Sequence, residues 1–320
     1  MLNTEKKAAS YTKPQSDTLD RFLGCLLGLA VGDAVGTTVE FQQRGTFKPV
    51  TDMTGGGPFR LTPGQWTDDT SMALCLAASL TEGNGCNPND QMERYCRWMD
   101  EGYLSSTGRC FDIGSTTFSA LRRYQLSGIP NSGATTPTSA GNGSIMRLAP
   151  IPMFYFPDLE AIDHQAAQSS LTTHGAPECV DACRLLGRNL GRALLGQSKE
   201  MVLFAEGATF RGQKRVETIA HGDYRTKTDT QIRGTGYVVE SLEAALWCFL
   251  RTESFEQAIL LAANLGDDAD TTAAICGQVA GAYYGVSGIP SRWLEKLALR
   301  STITELAGQL LAKGQSVPKP

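Results

Sequence analysis

Apolar residues recur at helical spacing through almost all of this 320-residue sequence, and strand-like alternation is scarce. That pattern excludes most architectures built on a sheet. From Asp20 to Val35, the residues Phe22, Leu23, Leu26, Leu27, Ala30 and Val31 follow a 3.6-residue period, with glycines between them that permit close packing. The same period predicts helices over 70–82, 88–101, 116–127, 160–172, 178–195, 236–250, 254–263, 269–285 and 296–312. Phe204 to Gly234 fits no single pattern and is open to loop, helix or short hairpin. No fixed-length repeat is present, which excludes a solenoid. The expectation is one compact all-α domain over 19–314, with glycine-rich connections at 55–57, 131–143 and 222–236. Residues 1–18 are polar and aperiodic and read as a flexible extension, either inert or an arm that orders on a partner.

Composition removes several function classes. The net charge is −4 and the pI near 5.5, so there is no basic footprint for nucleic acid. No uninterrupted apolar run reaches the roughly 18 residues of a membrane span. The polar first residues, with Lys6, Lys7 and Lys13, do not resemble a secretory signal. Nine cysteines form no CxxC pair, and only three histidines are present, so a Cys/His zinc site is not expected. Free thiols in a reducing cytoplasm are the plain expectation.

Two acidic segments stand out. Trp66-Thr67-Asp68-Asp69-Thr70 precedes the small-residue run SMALCLAASL, and Gly266-Asp267-Asp268-Ala269-Asp270-Thr271-Thr272 precedes AAICGQVAGAYYG. One reading is helix capping, since Asp and Thr satisfy the free N–H groups at a helix start. Yet one cap needs one side chain, and each segment supplies two or three acids. Carboxylates packed before buried helices repel one another unless a cation neutralises them. A set made only of oxygen donors suits a hard ion, Mg2+ or Mn2+. A further pair, Gly32-Asp33-Ala34 at the end of the first helix and Glu40-Phe41 after a short loop, belongs with these acids. Glu40 reads either as a surface glutamate or as a general acid/base or water-mediated metal contact.

Three loop-to-helix junctions offer backbone and hydroxyl groups. Asp112-Ile113-Gly114-Ser115-Thr116-Thr117 opens a helix whose free N–H groups suit an anion. Gly141-Asn142-Gly143-Ser144-Ile145-Met146-Arg147 reads as a tight turn and cap, or as a second such cradle. Thr172-Thr173-His174-Gly175 carries a histidine at a helix end, where a structural role is common.

Taken in order, Gly32-Asp33-Ala34 with Glu40-Phe41, Trp66–Thr70, Gly141–Arg147, Thr173-His174 and Gly266–Thr271 resemble the ADP-ribosylglycohydrolases, the family that includes the dinitrogenase reductase-activating glycohydrolases. The resemblance spans about residues 20–300. It implies a compact helical fold with a two-metal centre. Thr67, Asp68, Asp69, Asp268, Asp270 and Thr271 would hold two Mg2+ ions, with Mn2+ the alternative. Catalysis would fall to Glu40, Asp69 and Asp268. Gly114, Ser115 and Thr116 would form the diphosphate loop, with Asp112 a further substrate-binding residue. Asn142, Gly143, Ser144 and His174 would contact ADP-ribose, and Tyr237 would wall the ligand. The implied activity is removal of ADP-ribose from a modified protein, with arginine the favoured acceptor. Some members of the family resist ADP-ribosylating toxins, so residues 1–18 could act as an arm that occludes a toxin partner. The alternative is a non-catalytic ADP-ribose binder or an occluding inhibitor. A metal-dependent phosphohydrolase would not need the whole ordered set. Ala269 stands where the family often has Thr, and the extension at 1–18 departs from the minimal family core.

Overall fold

The computed structural model describes residues 14–316, with side chains from Asp17 onward. Among the described residues it contains fourteen α-helices, five short 3-10 turns and no β-strand. In chain order the helices are α1 (Pro14–Gly36), α2 (Asp68–Gly83), α3 (Pro88–Glu101), α4 (Ser115–Ser127), α5 (Pro150–Tyr155), α6 (Leu159–Leu171) and α7 (Pro177–Leu194). They continue with α8 (Lys199–Phe204), α9 (Lys214–His221), α10 (Val238–Leu250), α11 (Phe255–Ala263), α12 (Ala269–Tyr284), α13 (Ser291–Lys296) and α14 (Arg300–Gly314). The all-α expectation is met. Helix begins at Pro14, inside the segment read as an extension. Residues 1–13, and with them most of the arm suggested as a toxin contact, lie outside the described residues.

The pairing of α1 with α12 organises the rest. Glycines on α1 fall every four residues, at 24, 28, 32 and 36, and so line one stripe of the helix. On α12 the facing residues are Gly281, Gly277, Ala273 and Ala269, again four apart. The pairing order is reversed, so the helices run antiparallel. A Cβ added at any of the four α1 glycines would overlap backbone of α12. The two backbones are therefore in direct contact along about three turns, and any side chain on this stripe would force them apart. Around this pair, α10 and α11 cover α12, and α14 covers α1.

Antiparallel packing has a direct consequence for the site. The last turn of α1 lies beside the first turn of α12, so Asp33 and Glu40 meet Asp268–Thr271. The stretch Asp17–Val39 is long and apolar enough by composition to cross a membrane, but 89% of its most apolar window is buried inside the protein. It is a core helix, its apolar run broken in sequence at Asp20, Arg21 and Asp33.

Two regions differ from the periodicity reading. Phe204–Gly234 resolves into α9 and two 3-10 turns, the helical option of the three. The helix expected at 296–312 is α14, which begins only at Arg300: Lys296 ends α13, and Leu299, with a left-handed φ of 50°, precedes the first turn of α14.

Candidate active site

The start of α2 is capped by a side chain from another helix. Asp33 of α1 accepts from the Thr67 N–H and hydroxyl through Oδ1, both at 2.9 Å. Its Oδ2 accepts from the Thr70 N–H at 3.1 Å and the Thr70 hydroxyl at 2.6 Å. The N-cap residue Thr67 makes no capping bond with its own side chain. Because Asp33 fills the capping role, Asp68 and Asp69 are released from it. The N-cap of α12, Asp268, likewise makes no side-chain cap. Simple capping therefore does not account for either acidic segment.

Loop strain brings the remaining acids in. Gly266 and Asp267 both have left-handed φ, 71° and 56°, and turn the chain sharply into α12. Across from them Phe41 is also left-handed, at 62°, which is unusual for a bulky residue. The Phe41 N–H donates to Asp267 O at 2.7 Å, and the Asp267 N–H donates to Gln42 O at 2.8 Å. This clasp places Glu40 over the second segment. Asp112, left-handed at 59°, enters from the third side. Carboxylate oxygens of Glu40, Asp112 and Asp270 lie within 4.8 Å of one another.

The two segments touch directly. Thr67 Oγ1 lies 3.1 Å from Asp270 Oδ2 and 3.3 Å from Asp69 Oδ2, and Thr271 Oγ1 lies 3.3 Å from Asp69 Oδ2. A hydroxyl has one proton. If Thr67 gives its proton to Asp33, its lone pairs face two carboxylates with nothing between. Three more oxygens, Glu40 Oε2, Asp69 Oδ1 and Asp270 Oδ1, are buried without any hydrogen-bond partner.

Electrostatics repeat the message. Burial first, then Asp112, Asp268 and Asp33, push the Glu40 carboxyl up to about 10. Burial, then Asp33 and Asp268, push Asp112 up to about 8. Asp68, Asp69 and Asp270 are held well above the usual carboxylate range, by burial and then by one another and their neighbours. No arginine or lysine bonds any of these groups among the described residues. Orphaned buried oxygens and mutually repelling acids, all oxygen donors, fit hard divalent cations.

The acids line a cavity of about 370 Å³, within the roughly 300–1,000 Å³ usual for small-molecule sites. Glu40, Asp68, Asp112, Asp268, Asp270 and Thr271 are among its lining residues. Gly114, Ser115 and Thr116 at the start of α4, with Asn142, Gly143 and His174, line it as well. Thus twelve of the expected site residues share one cavity. Thr67 and Asp69 do not line it; both are fully buried directly behind the acids that do. Ser144 lies behind the wall, accepting from the Ser170 hydroxyl at 3.0 Å. Tyr237 lines an adjoining depression that shares Thr116, Gly141 and Gly236 with the cavity. Its hydroxyl donates to Glu178 at 2.6 Å and accepts from Arg215 at 3.1 Å. Asn142 is turned towards the acids, donating to Asp268 Oδ2 at 2.7 Å. Asp112, expected only as a substrate-binding residue, also joins the acid cluster. Two residues of the quoted motifs were given no role of their own in advance. Asp33 was visible in the Gly32-Asp33-Ala34 motif, but its cross-helix cap was not. Phe41, quoted only as the neighbour of Glu40, is 68% exposed and lines the cavity.

Comparisons with known proteins agree with this arrangement. The sequence profile described as ADP-ribosylglycohydrolase matches residues 14–319. The "ADP-ribosylarginine hydrolase Tri1" of Serratia proteamaculans (strain 568) is 47% identical over 297 residues, 93% of this chain and 80% of that protein. The "ADP-ribosyl-[dinitrogen reductase] glycohydrolase" of Rhodospirillum rubrum is 34% identical over 288 residues, 88% of this chain and 91% of that protein. A solved structure described as an "ADP-ribosylglycohydrolase-related protein complex" superposes with a TM-score of 0.83 at 42% identity, covering 93% of this chain and 99% of that one. An acid-lined cavity at the crossing of two glycine-striped helices and a match over nearly every described residue lead to one assignment: the chain belongs to the ADP-ribosylglycohydrolase family.

Proposed function

We propose that this protein hydrolyses the bond between ADP-ribose and arginine side chains of modified cytoplasmic proteins, in a reaction dependent on divalent cations. The observation that carries the reading is one cavity lined both by crowded carboxylates and by the start of α4, where the N-cap Gly114 supplies no side-chain cap. The arginine preference draws on the relatives named ADP-ribosylarginine hydrolases, at 47% and 46% identity. Nine free cysteines suit a reducing compartment. Reversal of a toxin's modification is one setting for such an activity.

Thr67, Asp68, Asp69, Asp268, Asp270 and Thr271 would hold the cations, with Mg2+ favoured by the all-oxygen donor set and Mn2+ the alternative. Two ions would suit two segments. When bound, they supply Lewis acidity towards ribose hydroxyls and water. The chain's own residues supply the rest. The α4 N–H groups beside Ser115 and Thr116 would bind the diphosphate, since no lysine or arginine among the described residues lines the cavity. Asn142 holds Asp268 in place. Glu40 is nearly buried at the cavity wall, placed to exchange a proton with the attacking water or the leaving guanidine nitrogen. Cleavage builds positive charge on the ribose, which surrounding carboxylates favour. Phe41 would shield this site from bulk water.

The test offers purified protein two substrates, one ADP-ribosylated on arginine and one on serine. Release from arginine alone supports the proposal. Release from serine alone, or from neither, rejects the arginine assignment.

A further inference from the structure

Behind the cavity wall lies an arginine that no carboxylate neutralises. Arg147 is fully buried and forms no ion pair among the described residues. Its guanidinium donates to Gly143 O and to Thr173 Oγ1, both at 2.7 Å, and lies 4.8 Å from the centre of the Tyr95 ring. A buried, unpaired cation is costly, so its contacts repay attention.

Arginine can only donate, so Thr173 Oγ1 accepts from it. The hydroxyl proton must then go elsewhere. The other partner of Thr173 Oγ1 is His174 Nδ1, at 2.9 Å. In the opposite arrangement Nδ1 would carry the proton and donate to Thr173. The Thr173 proton would then be stranded at a fully buried position. The hydroxyl therefore donates to Nδ1. A neutral imidazole that accepts at Nδ1 carries its proton on Nε2. That atom reaches the cavity floor between two glycines: a Cβ on Gly141 would lie 3.5 Å from it, and one on Gly143 3.0 Å.

We propose that Arg147 and Thr173 are positioning residues that lock His174 in the Nε2–H form, so that it offers one hydrogen-bond donor to an acceptor oxygen of the bound ADP-ribose. The second half rests on the ADP-ribose reading above. Burial and the Arg147 charge also hold the imidazole down to about 3, so it stays neutral. His174 is thereby a fixed donor and not a proton carrier.

The test uses nitrogen-15 NMR of full-length, histidine-labelled protein. Only three histidines are present, and His164 and His221 are exposed, so loss of one signal set in His174→Gln assigns the buried ring. Ligand-free wild-type protein should show a protonated Nε2 and a bare Nδ1 at neutral pH. Thr173→Val should lose that pure pattern and weaken ADP-ribose binding about five- to tenfold, as expected for one neutral hydrogen bond. Thr173→Ser should restore both. Comparing ADP-ribose with ADP, which lacks the distal ribose, places the accepted oxygen on that ribose or on the diphosphate. A wild-type ring protonated on Nδ1, or on both nitrogens, overturns the lock without recourse to any variant. So does a Thr173→Val protein with the wild-type spectrum and affinity. Wild-type protein that keeps the Nε2–H spectrum yet binds no ADP-ribose would remove the ligand assignment and leave the lock standing.

Discussion

Asp33→Asn takes one acceptor oxygen away from the start of α2 and leaves the other. In the native chain each carboxylate oxygen receives one backbone N–H and one hydroxyl, from Thr67 and from Thr70. After the change, one side of the group is an NH2. The hydroxyl facing it can rotate and accept. The backbone N–H facing it cannot, and is left buried without a partner. One such orphan costs about 1–3 kcal/mol. Asp33→Ala strands both N–H groups, so its cost should be about 2–6 kcal/mol, with a further few tenths for the lost charge at a helix N-terminus. Relief of repulsion among the acids would offset part of this, so unfolding in urea should be followed with Mg2+ saturating. The midpoint should fall in the order wild type, Asn, Ala, at constant slope. Turnover should fall with it, because Asp68 and Asp69 follow directly from Thr67. Variants both within about 0.5 kcal/mol of wild type, the range of an ordinary surface change, would refute the cross-helix cap. Equal losses for Asn and Ala would refute the count of stranded donors.

Other expectations follow from the same geometry. The acids near Glu40 and Asp112 bind protons more tightly folded than unfolded, so between about pH 4 and about pH 8 the native state holds more protons and stability falls as pH rises. Without divalent cation the melting temperature should therefore rise on going from about pH 8 to about pH 5, and Mg2+ should raise it most at the higher pH; a chelated sample that melts higher at pH 8 contradicts this. Glu40→Gln keeps the shape and removes the proton exchange, so kcat should drop by about 10²–10⁴ while ADP-ribose affinity changes only a few-fold by calorimetry; near-normal kcat would end the role given to Glu40. Gly143→Ala puts a Cβ 2.6 Å from His174 Cε1 and 3.2 Å from Thr117 Oγ1, so the ring must shift and ADP-ribose affinity should fall about tenfold or more; unchanged affinity would mean the ligand binds elsewhere.

The sequence was most readable where period and packing agree. The helix over 88–101 was placed to the residue, and those at 160–172 and 178–195 to within one, since amphipathic faces and Pro or Asp caps mark them. The six-residue helices α5, α8 and α13 span too few turns for a period to register. The break at Leu299 depends on a left-handed backbone that Leu rarely adopts, so nothing local announces it. In the site, acids adjacent in sequence were easy to group, and Asp68, Asp268 and Asp270 do converge. What was hidden is convergence between distant segments. Asp112 reaches the cluster from a left-handed loop position of its own, while left-handed Phe41 and Asp267 form the backbone clasp beside Glu40. Thr173 and Arg147 were in quoted motifs, yet their link to His174 exists only once α6 and the 141–147 turn are packed together.

The central claim is that crowded carboxylates become a working site only with cations among them. The most direct measurement is ADP-ribose release from an arginine-ADP-ribosylated protein by the full-length chain, first with Mg2+, then with excess chelator, then with Mg2+ restored. Asp270→Ala, checked for folding, runs alongside. The account predicts release that stops on chelation, returns with Mg2+ and is absent from the variant. Release that persists under chelator, or survives in Asp270→Ala, would contradict it.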